Sequence, residues 1–167
     1  MNKKLLIEKL GLTAHKEGGY FSETYRCAVR IRTDREGETR NMSTSIYYML
    51  TDDRPVGYFH TNKSDVVHYF HAGSSLRYWL IGADGRLQSH ILGPDVAEGE
   101  KLQLIVPGGV WKATELLGGE FGLLGESVAP GFEYQDNVMG SAQAMSASFP
   151  DLWERIENFV VPGLRYS

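Results

Sequence analysis

Two histidines and an asparagine recur at alternate positions within residues 58–73 of the chain, YFHTNKSDVVHYFHAG. Successive side chains of an extended strand point to opposite faces, so His60 and Asn62 share one face. After a three-residue spacer, Val66 and His68 fall on the same face of the returning strand. Imidazole is the side chain most often used for proton transfer near neutral pH, so we predict that His60 and His68 act as a base or hydrogen-bond donors in a pocket. The alternative is that each is a buried histidine with satisfied hydrogen bonds.

Composition excludes several classes of partner. The 167 residues, 18.7 kDa, suit a single domain over residues 1–167. A net charge of -4 with scattered basic residues argues against nucleic acid and against an anionic membrane surface. The single cysteine, Cys27, excludes an internal disulfide and fits a reducing compartment. The first residues lack the apolar core of a signal peptide, and no window approaches a membrane span, so we expect a soluble cytoplasmic protein.

Short runs of aromatic and β-branched residues, separated by turn residues, predict an all-β chain. The predicted strands are 20–32, 43–50, 56–60, 66–70, 75–81, 86–92, 102–106, 111–116 and 120–127. Most of the 19 glycines lie at the joints, which favours a jelly-roll barrel with its core at about residues 20–137. A short helix is predicted at residues 2–10. An amphipathic helix, capped by Ser148, is predicted at about residues 148–160.

Four segments, in order along the chain, carry a family pattern. They are HKEGGYFSETYR at 15–26, SDVVHYFHAGSSL at 64–76, LIVPGGVWKAT at 104–114 and GESVAPGFEYQDN at 125–137. Together they resemble the Cupin_5 branch of the cupin superfamily. The resemblance implies a double-stranded β-helix with a pocket at the barrel mouth, usually assembled as a homodimer. Residues 20–32 would then supply a long edge strand for exchange between two subunits.

The resemblance also bears on metal binding. Many cupins hold a metal with a His-x-His pair, a glutamate three or four residues later, and the histidine of a Pro-x-Gly-x-x-His motif. In this chain the four positions are filled by His60, Asn62, Val66 and Lys112. Valine has no lone pair, and Lys112 places a cation where a metal needs a donor. We therefore predict neither a metal nor another cofactor.

Two functions fit such a pocket. Nucleotide-sugar epimerases of the same superfamily work without metal, with a histidine base and a tyrosine acid inside the barrel. By that resemblance His60 or His68 is the predicted base, Tyr48 the acid, and Lys112 or Asn62 the partner of the enolate oxygen. The alternative is a binding protein that turns nothing over. In both cases the expected ligand is a sugar, a nucleotide or a sugar nucleotide.

Two further acidic residues complete the predicted ligand-binding set. Glu23 lies where it can reach the pocket or pair with Arg26 or Arg30, and Glu133 follows an apolar turn and recurs in the family pattern. The two glycines after Glu17 have a structural explanation, because they permit a tight entry into the first strand, but Glu17 and Tyr20 can also reach the pocket. His15 is expected at the surface or in a turn.

Overall fold

Strands make up most of the regular secondary structure in the computed structural model, which describes residues 2–163. The strands are β1 (Thr13–Ala14), β2 (Tyr20–Arg26), β3 (Arg30–Arg32), β4 (Thr39–Asn41), β5 (Thr44–Thr51), β6 (Val56–Asn62), β7 (Asp65–Gly73), β8 (Leu76–Ile81), β9 (Leu87–Leu92), β10 (Gln103–Val106), β11 (Trp111–Leu116), β12 (Phe121–Ala129) and β13 (Asn137–Met139). Three short helices, α1 (Lys3–Lys9), α2 (Ala142–Ser148) and α3 (Trp153–Ile156), lie near the two ends of the chain. None of the helices within residues 2–163 is long and apolar enough to cross a membrane.

The strands form two main antiparallel sheets. One sheet has the order β1-β2-β5-β12-β7-β10, and the other has the order β13-β6-β11-β8-β9. A buried apolar cluster joins Tyr48 and Leu50 of β5 and Leu124 of β12 to Tyr78 of β8 and Leu92 of β9. Side chains of both sheets therefore pack against each other, as in a jelly-roll barrel. The predicted all-β jelly-roll fold is confirmed.

The alternation of β6 separates an apolar outer face from a polar inner one. Phe59 is fully buried in a second cluster, against Met145 of α2 and Ile156 of α3. The next residue, His60, points the other way and is buried inside the barrel. The helices α2 and α3 thus cover the outside of the five-stranded sheet, and His60 faces inward.

The prediction of one C-terminal helix at 148–160 was confirmed in part, because residues 150–159 are helical but Ser148 does not begin them, and the turns at Pro150–Leu152 and Glu157–Phe159 are 3-10. Ser148 ends α2, whose N-cap is Ser141, and a 3-10 turn at Pro150–Leu152 precedes α3. A proline disfavours helical backbone at the residue before it, and Phe149 accordingly has φ −133° and ψ 57°. The predicted N-terminal helix is confirmed as α1, where the side chain of Asn2 accepts a hydrogen bond from the backbone of Leu5.

The prediction of one long strand at 20–32 was also wrong. β2 ends at Arg26, and β3 pairs with β4 in a separate two-stranded sheet. Cys27 lies at the break, where its N–H donates to the carbonyl of Ser43 and its carbonyl accepts from the amide of Asn41. Cys27 is buried, as its small apolar side chain predicts.

Candidate functional site in the barrel

A cavity of about 190 Å³ opens at one end of the barrel. Its lining combines carboxyl groups with aromatic and aliphatic side chains. The polar lining residues include His15, Glu17, Glu23, Arg26, Asn62, Glu126 and Glu133, and the apolar ones include Phe21, Ile46, Phe132 and Tyr134. A concave site with few, convergent polar groups is typical of small-molecule binding.

The predicted site residues lie at three different places in the structure. Glu23, Asn62 and Glu133 line the cavity. Behind its wall lie three buried residues, which contact the lining carboxyl groups; these are His60, His68 and Lys112. Tyr48 belongs to the apolar cluster between the sheets, and its hydroxyl donates to the carbonyl of Gly18 at 3.0 Å. It therefore holds the segment that carries Glu17.

Strand register brings Glu126, His68 and Lys112 together. Glu126 of β12 lies directly opposite His68 of β7 within the six-stranded sheet. Lys112 of β11 lies opposite His60 of β6 within the other sheet. The ammonium of Lys112 crosses the barrel, 3.2 Å from His68 Nε2 and 3.7 Å from Glu126 Oε2. The cluster thus combines one cation, one anion and an imidazole in the interior of the barrel.

Hydrogen-bond geometry fixes the protonation of His68. The ammonium of Lys112 can only donate, so Nε2 of His68 must present its lone pair. The proton then lies on Nδ1, which is 3.2 Å from Glu126 Oε1 and 3.0 Å from the hydroxyl of Tyr78. Burial and the charge of Lys112 lower the pKa of His68 to about 4. At neutral pH the imidazole is uncharged.

Glu126 remains ionised although it is buried. Burial alone would raise the pKa of this carboxyl, but the Lys112 ammonium and the hydrogen bond from His68 outweigh it. The pKa of Glu126 is therefore held well below its usual range. The cavity thus contains a carboxylate that is oriented by two buried partners.

A tight glycine turn delivers Glu17 to the cavity. Gly18 has φ +98°, and a Cβ there would lie only 2.0 Å from the carbonyl oxygen of Val56. Only glycine permits this close approach of two backbones. The carbonyl of Glu17 accepts a hydrogen bond from the N–H of Tyr58 at 2.6 Å, which fixes the segment against β6.

The carboxyl group of Glu17 lies between two histidines and an amide. Oε2 is 3.3 Å from His60 Nε2 and 3.5 Å from His15 Nδ1, and Oε1 accepts from Asn137 Nδ2 at 2.8 Å. Burial raises the pKa of Glu17. Burial and the nearby charge of Lys112 lower the pKa of His60 to about 3. The expectation that His15 lies at the surface or in a turn was incomplete, because its side chain is only 8% exposed and lines the cavity.

Arg26 spans the mouth of the cavity. Its guanidinium donates two hydrogen bonds to Glu23, at 3.0 and 2.8 Å, and one to Glu133 at 2.8 Å. The same group donates to Asn41 Oδ1 at 3.2 Å and to the carbonyl of Phe132 at 3.4 Å. All five N–H groups of Arg26 are thereby used by the protein, so the guanidinium links β2 to the segment after β12.

The residues at the usual cupin metal positions do not fit a metal ion. Val66 is 1% exposed in the core and offers no donor, and the Lys112 ammonium pairs with Glu126. His60 and the amide of Asn62 leave one imidazole and one weak oxygen, fewer ligands than a structural or catalytic site needs. Among residues 2–163, no group of three or more His, Cys, Asp or Glu side chains has the arrangement of a metal site.

Sequence reasoning missed Glu126 and did not rank Glu17 among the site residues. Glu126 is the one charged residue within the apolar strand FGLLGESVA, and its inward position follows from its pairing with His68. A charge inside an apolar run is the signal that could have identified it. Glu17 gives no such signal, because only its fold-back onto β6 buries it.

Comparisons with known proteins agree with this architecture. The family model described as Cupin_5, Cupin superfamily (DUF985), matches residues 4–140. The chain is 41% identical over 147 residues to the Saccharomyces cerevisiae protein "Uncharacterized protein YML079W", a match that covers 80% of this chain and 72% of the relative.

Solved structures extend the comparison. A hypothetical protein from Leishmania major superposes with a TM-score of 0.89 at 28% identity, covering 96% of this chain and 99% of its own. Protein SO0799 from Shewanella oneidensis gives a TM-score of 0.89 at 32% identity, covering 97% and 99%. Oxalate decarboxylase from Bacillus subtilis, at 18% identity and a TM-score of 0.55 over 91% of this chain and 37% of its own, shares the fold alone. The chain therefore belongs to the Cupin_5 family of the cupin superfamily.

Proposed function

We propose that this protein is a metal-independent acid–base catalyst that isomerises or epimerises a sugar inside the barrel cavity. One observation carries the proposal: Glu17 and Glu126 line the same cavity, and their pKa values are shifted in opposite directions. Two carboxyl groups whose surroundings separate their pKa values are a common arrangement of an acid and a base.

The reaction requires a proton to leave carbon and a proton to reach oxygen. Glu126 would remove the proton from the carbon next to a carbonyl, while Glu17 gives its proton to the carbonyl oxygen. The carbon regains a proton either from Glu126 at the neighbouring position or from solvent on the opposite face, with Glu126 then releasing its proton to solvent. Glu17 recovers its proton from the enediol hydroxyl, which yields the isomer or the epimer. Its lowered pKa makes Glu126 a weak base, so donation by Glu17 has to accompany the abstraction.

The buried residues behind the cavity wall would position the carboxyl groups of Glu17 and Glu126. His68 and Lys112 orient the Glu126 carboxylate, and His60 contacts Glu17. This modifies the role predicted from the family resemblance, in which a histidine takes the proton directly. His60 and His68 are each at most 5% exposed, so the proposal assigns them to positioning and the carboxyl groups to the substrate.

Charge and size of the cavity favour an uncharged sugar at the reacting end. Glu23, Glu126 and Glu133 place three carboxylates in the lining, against the single guanidinium of Arg26. A phosphate group would be repelled there. The cavity is also smaller than the ~300–1,000 Å³ of sites for drug-sized ligands, so a monosaccharide fits better than a whole sugar nucleotide. An attached nucleotide would extend outward past Tyr134, which is 56% exposed.

Deuterium exchange tests this proposal even when the product is unidentified. The protein is incubated in D₂O with a panel of aldoses, ketoses and sugar nucleotides, and loss of the proton next to the carbonyl is followed by NMR. We expect exchange with at least one uncharged sugar, and a decrease of about 10²–10⁴-fold in Glu17→Gln and Glu126→Gln. Glu120→Gln, an exposed carboxyl on the turn before β12, is the matched control and should keep the wild-type rate.

The same panel separates catalysis from the binding alternative. Ligands that raise the melting temperature without any exchange would support a binding protein that turns nothing over. Exchange that survives in both glutamine variants would reject the assigned acid and base.

A further inference from the structure

The protonation state of Glu17 follows from the atoms around its carboxyl group. We propose that Glu17 is a neutral carboxylic acid at neutral pH, with its proton on Oε2 and shared with Nε2 of His60. The use of that proton in catalysis rests on the proposed function, whereas the protonation itself stands on geometry. His60 is then a positioning residue that keeps the proton of Glu17 directed and available.

The tautomer of His60 is fixed by the backbone. Nδ1 lies 2.8 Å from the carbonyl oxygen of Tyr58, which can only accept, so Nδ1 carries a proton. A second proton on Nε2 would create a buried imidazolium next to Lys112, its neighbour across the strands. His60 is therefore neutral, and its Nε2 presents a lone pair. Within the described part of the chain, that buried nitrogen has no completed hydrogen bond.

The two oxygens of Glu17 have unlike neighbours. Oε1 accepts a hydrogen bond from the amide of Asn137. Oε2 faces His60 Nε2 and also His15 Nδ1, and the latter already accepts the backbone N–H of Glu17 at 3.3 Å. Both nitrogens that face Oε2 are thus acceptors. A carboxylate there would leave an anionic oxygen and an imidazole lone pair buried together without a donor, and a proton on Oε2 satisfies both.

The charged groups around Glu17 do not take the place of this proton as the partner of Oε2. The titratable groups that act on it are His15 and Lys16 on its own segment, His60 on β6, Lys112 on β11 and Glu126 on β12. Lys112 is paired with Glu126, so its charge is largely compensated within the cavity wall. Lys16 has its ammonium over the ring of Tyr134 instead. The partners of the Glu17 carboxyl group within residues 2–163 are therefore His15, His60 and Asn137, and no cation is among them.

Infrared difference spectroscopy at pH 7 tests the protonation directly. A protonated carboxyl group absorbs above the main amide band and shifts slightly on exchange into D₂O. We expect this band in the wild-type protein, its loss in Glu17→Gln, and its retention in the control Glu120→Gln. The amide of glutamine can still donate to His60 Nε2, so Glu17→Gln should keep the fold. No band in the wild type, or a band that survives in Glu17→Gln, would overturn the proposal.

A second measurement needs no variant. In protein labelled with ¹⁵N-histidine, two of the five histidines, His60 and His68, should be neutral with the proton on Nδ1 at pH 7. An imidazolium at His60 would overturn the proposal. A protonated-carboxyl band that appears only after treatment with a chelator would also overturn it, in favour of a cation bound by Glu17. Neither measurement depends on turnover, so a protein that shows the band but no sugar exchange contradicts only the proposed function.

Discussion

Lys112 Nζ lies 3.2 Å from His68 Nε2, and this contact joins the two sheets inside the barrel. Lys112 belongs to β11 of the five-stranded sheet, and His68 belongs to β7 of the six-stranded sheet. With Glu126 the three side chains form a buried group whose charges cancel. Removal of either charged member leaves the other without its counter-charge, and this determines how the protein should respond to substitution and to acid.

Replacement of Lys112 should be costly, and a second substitution should restore stability. Lys112→Met leaves the Glu126 carboxylate buried without its cation, for which we expect a loss of about 3–5 kcal/mol in the free energy of unfolding. The double variant Lys112→Met/Glu126→Gln removes both charges and should regain most of that loss. Urea denaturation of the wild type, both single variants and the double variant measures the interaction free energy between Lys112 and Glu126. Additive effects would show that the two residues do not interact.

Stability should fall as the pH decreases from about 6.5. The folded protein holds the pKa of His60 at about 3 and that of His68 at about 4, below the usual value of 6.5. On acidification the unfolded chain therefore binds protons first, and equilibrium shifts towards it. The raised pKa of Glu17 acts in the opposite sense, because its stabilising effect is present at low pH and lost as the pH rises. The free energy of unfolding of Glu17→Gln should therefore decrease more steeply with falling pH than that of the wild type.

Urea midpoints at several pH values between 5 and 7 measure this dependence. His71→Gln is the matched control, since His71 is exposed on the same strand as His68. His71→Gln should leave the slope of the urea midpoint against pH unchanged, whereas His68→Gln should reduce that slope. A wild-type midpoint that stays constant from pH 7 to pH 5 would contradict the prediction.

Substitution of Tyr48 tests whether its hydroxyl donates a proton to the substrate or only supports the segment that carries Glu17. Its hydroxyl donates to the carbonyl of Gly18, so Tyr48→Phe should cost about 0.5–1.5 kcal/mol of stability. Because the hydroxyl holds only the segment that carries Glu17, we expect exchange activity to fall by less than about tenfold. A direct proton donor would cost about 10²–10⁴-fold. A loss of that size in Tyr48→Phe, with an unchanged rate in the control Tyr69→Phe, would return the acid role to Tyr48.

We expect a homodimer that forms along β2. The short strand β1 pairs only with Tyr20 and Phe21, so within residues 2–163 the rest of this edge has no strand beside it, and Tyr25 and Val29 are 53% and 56% exposed. Light scattering should give twice the chain mass of 18.7 kDa. Tyr25→Lys with Val29→Lys should reduce it to the single-chain mass. Leu102→Lys, at a site that is equally exposed near the opposite edge of the sheet, should not. A monomeric wild type at micromolar concentration would reject the prediction.

The sequence by itself determined the fold class, the strand alternation and the inward direction of His60, Asn62, His68 and Lys112. These features depend on local rules: side chains alternate along a strand, glycines mark the turns, and a family pattern extends over four segments. Local rules also failed where backbone detail decides, as at Phe149, where the following proline separates α2 from the helical turns that start at Pro150.

Only the tertiary structure decided which groups face the cavity. The predicted histidines and lysine form a buried layer, and Glu17 and Glu126 stand in front of them. Glu126 depends on the register between β12 and β7, and Glu17 on the approach of the Gly18 backbone to Val56. Both relationships join residues more than 35 positions apart in the chain, so no local pattern contains them. Their opposite pKa shifts also depend on the tertiary structure, because burial raises the pKa of Glu17 and the Lys112 ammonium from the opposite sheet lowers that of Glu126.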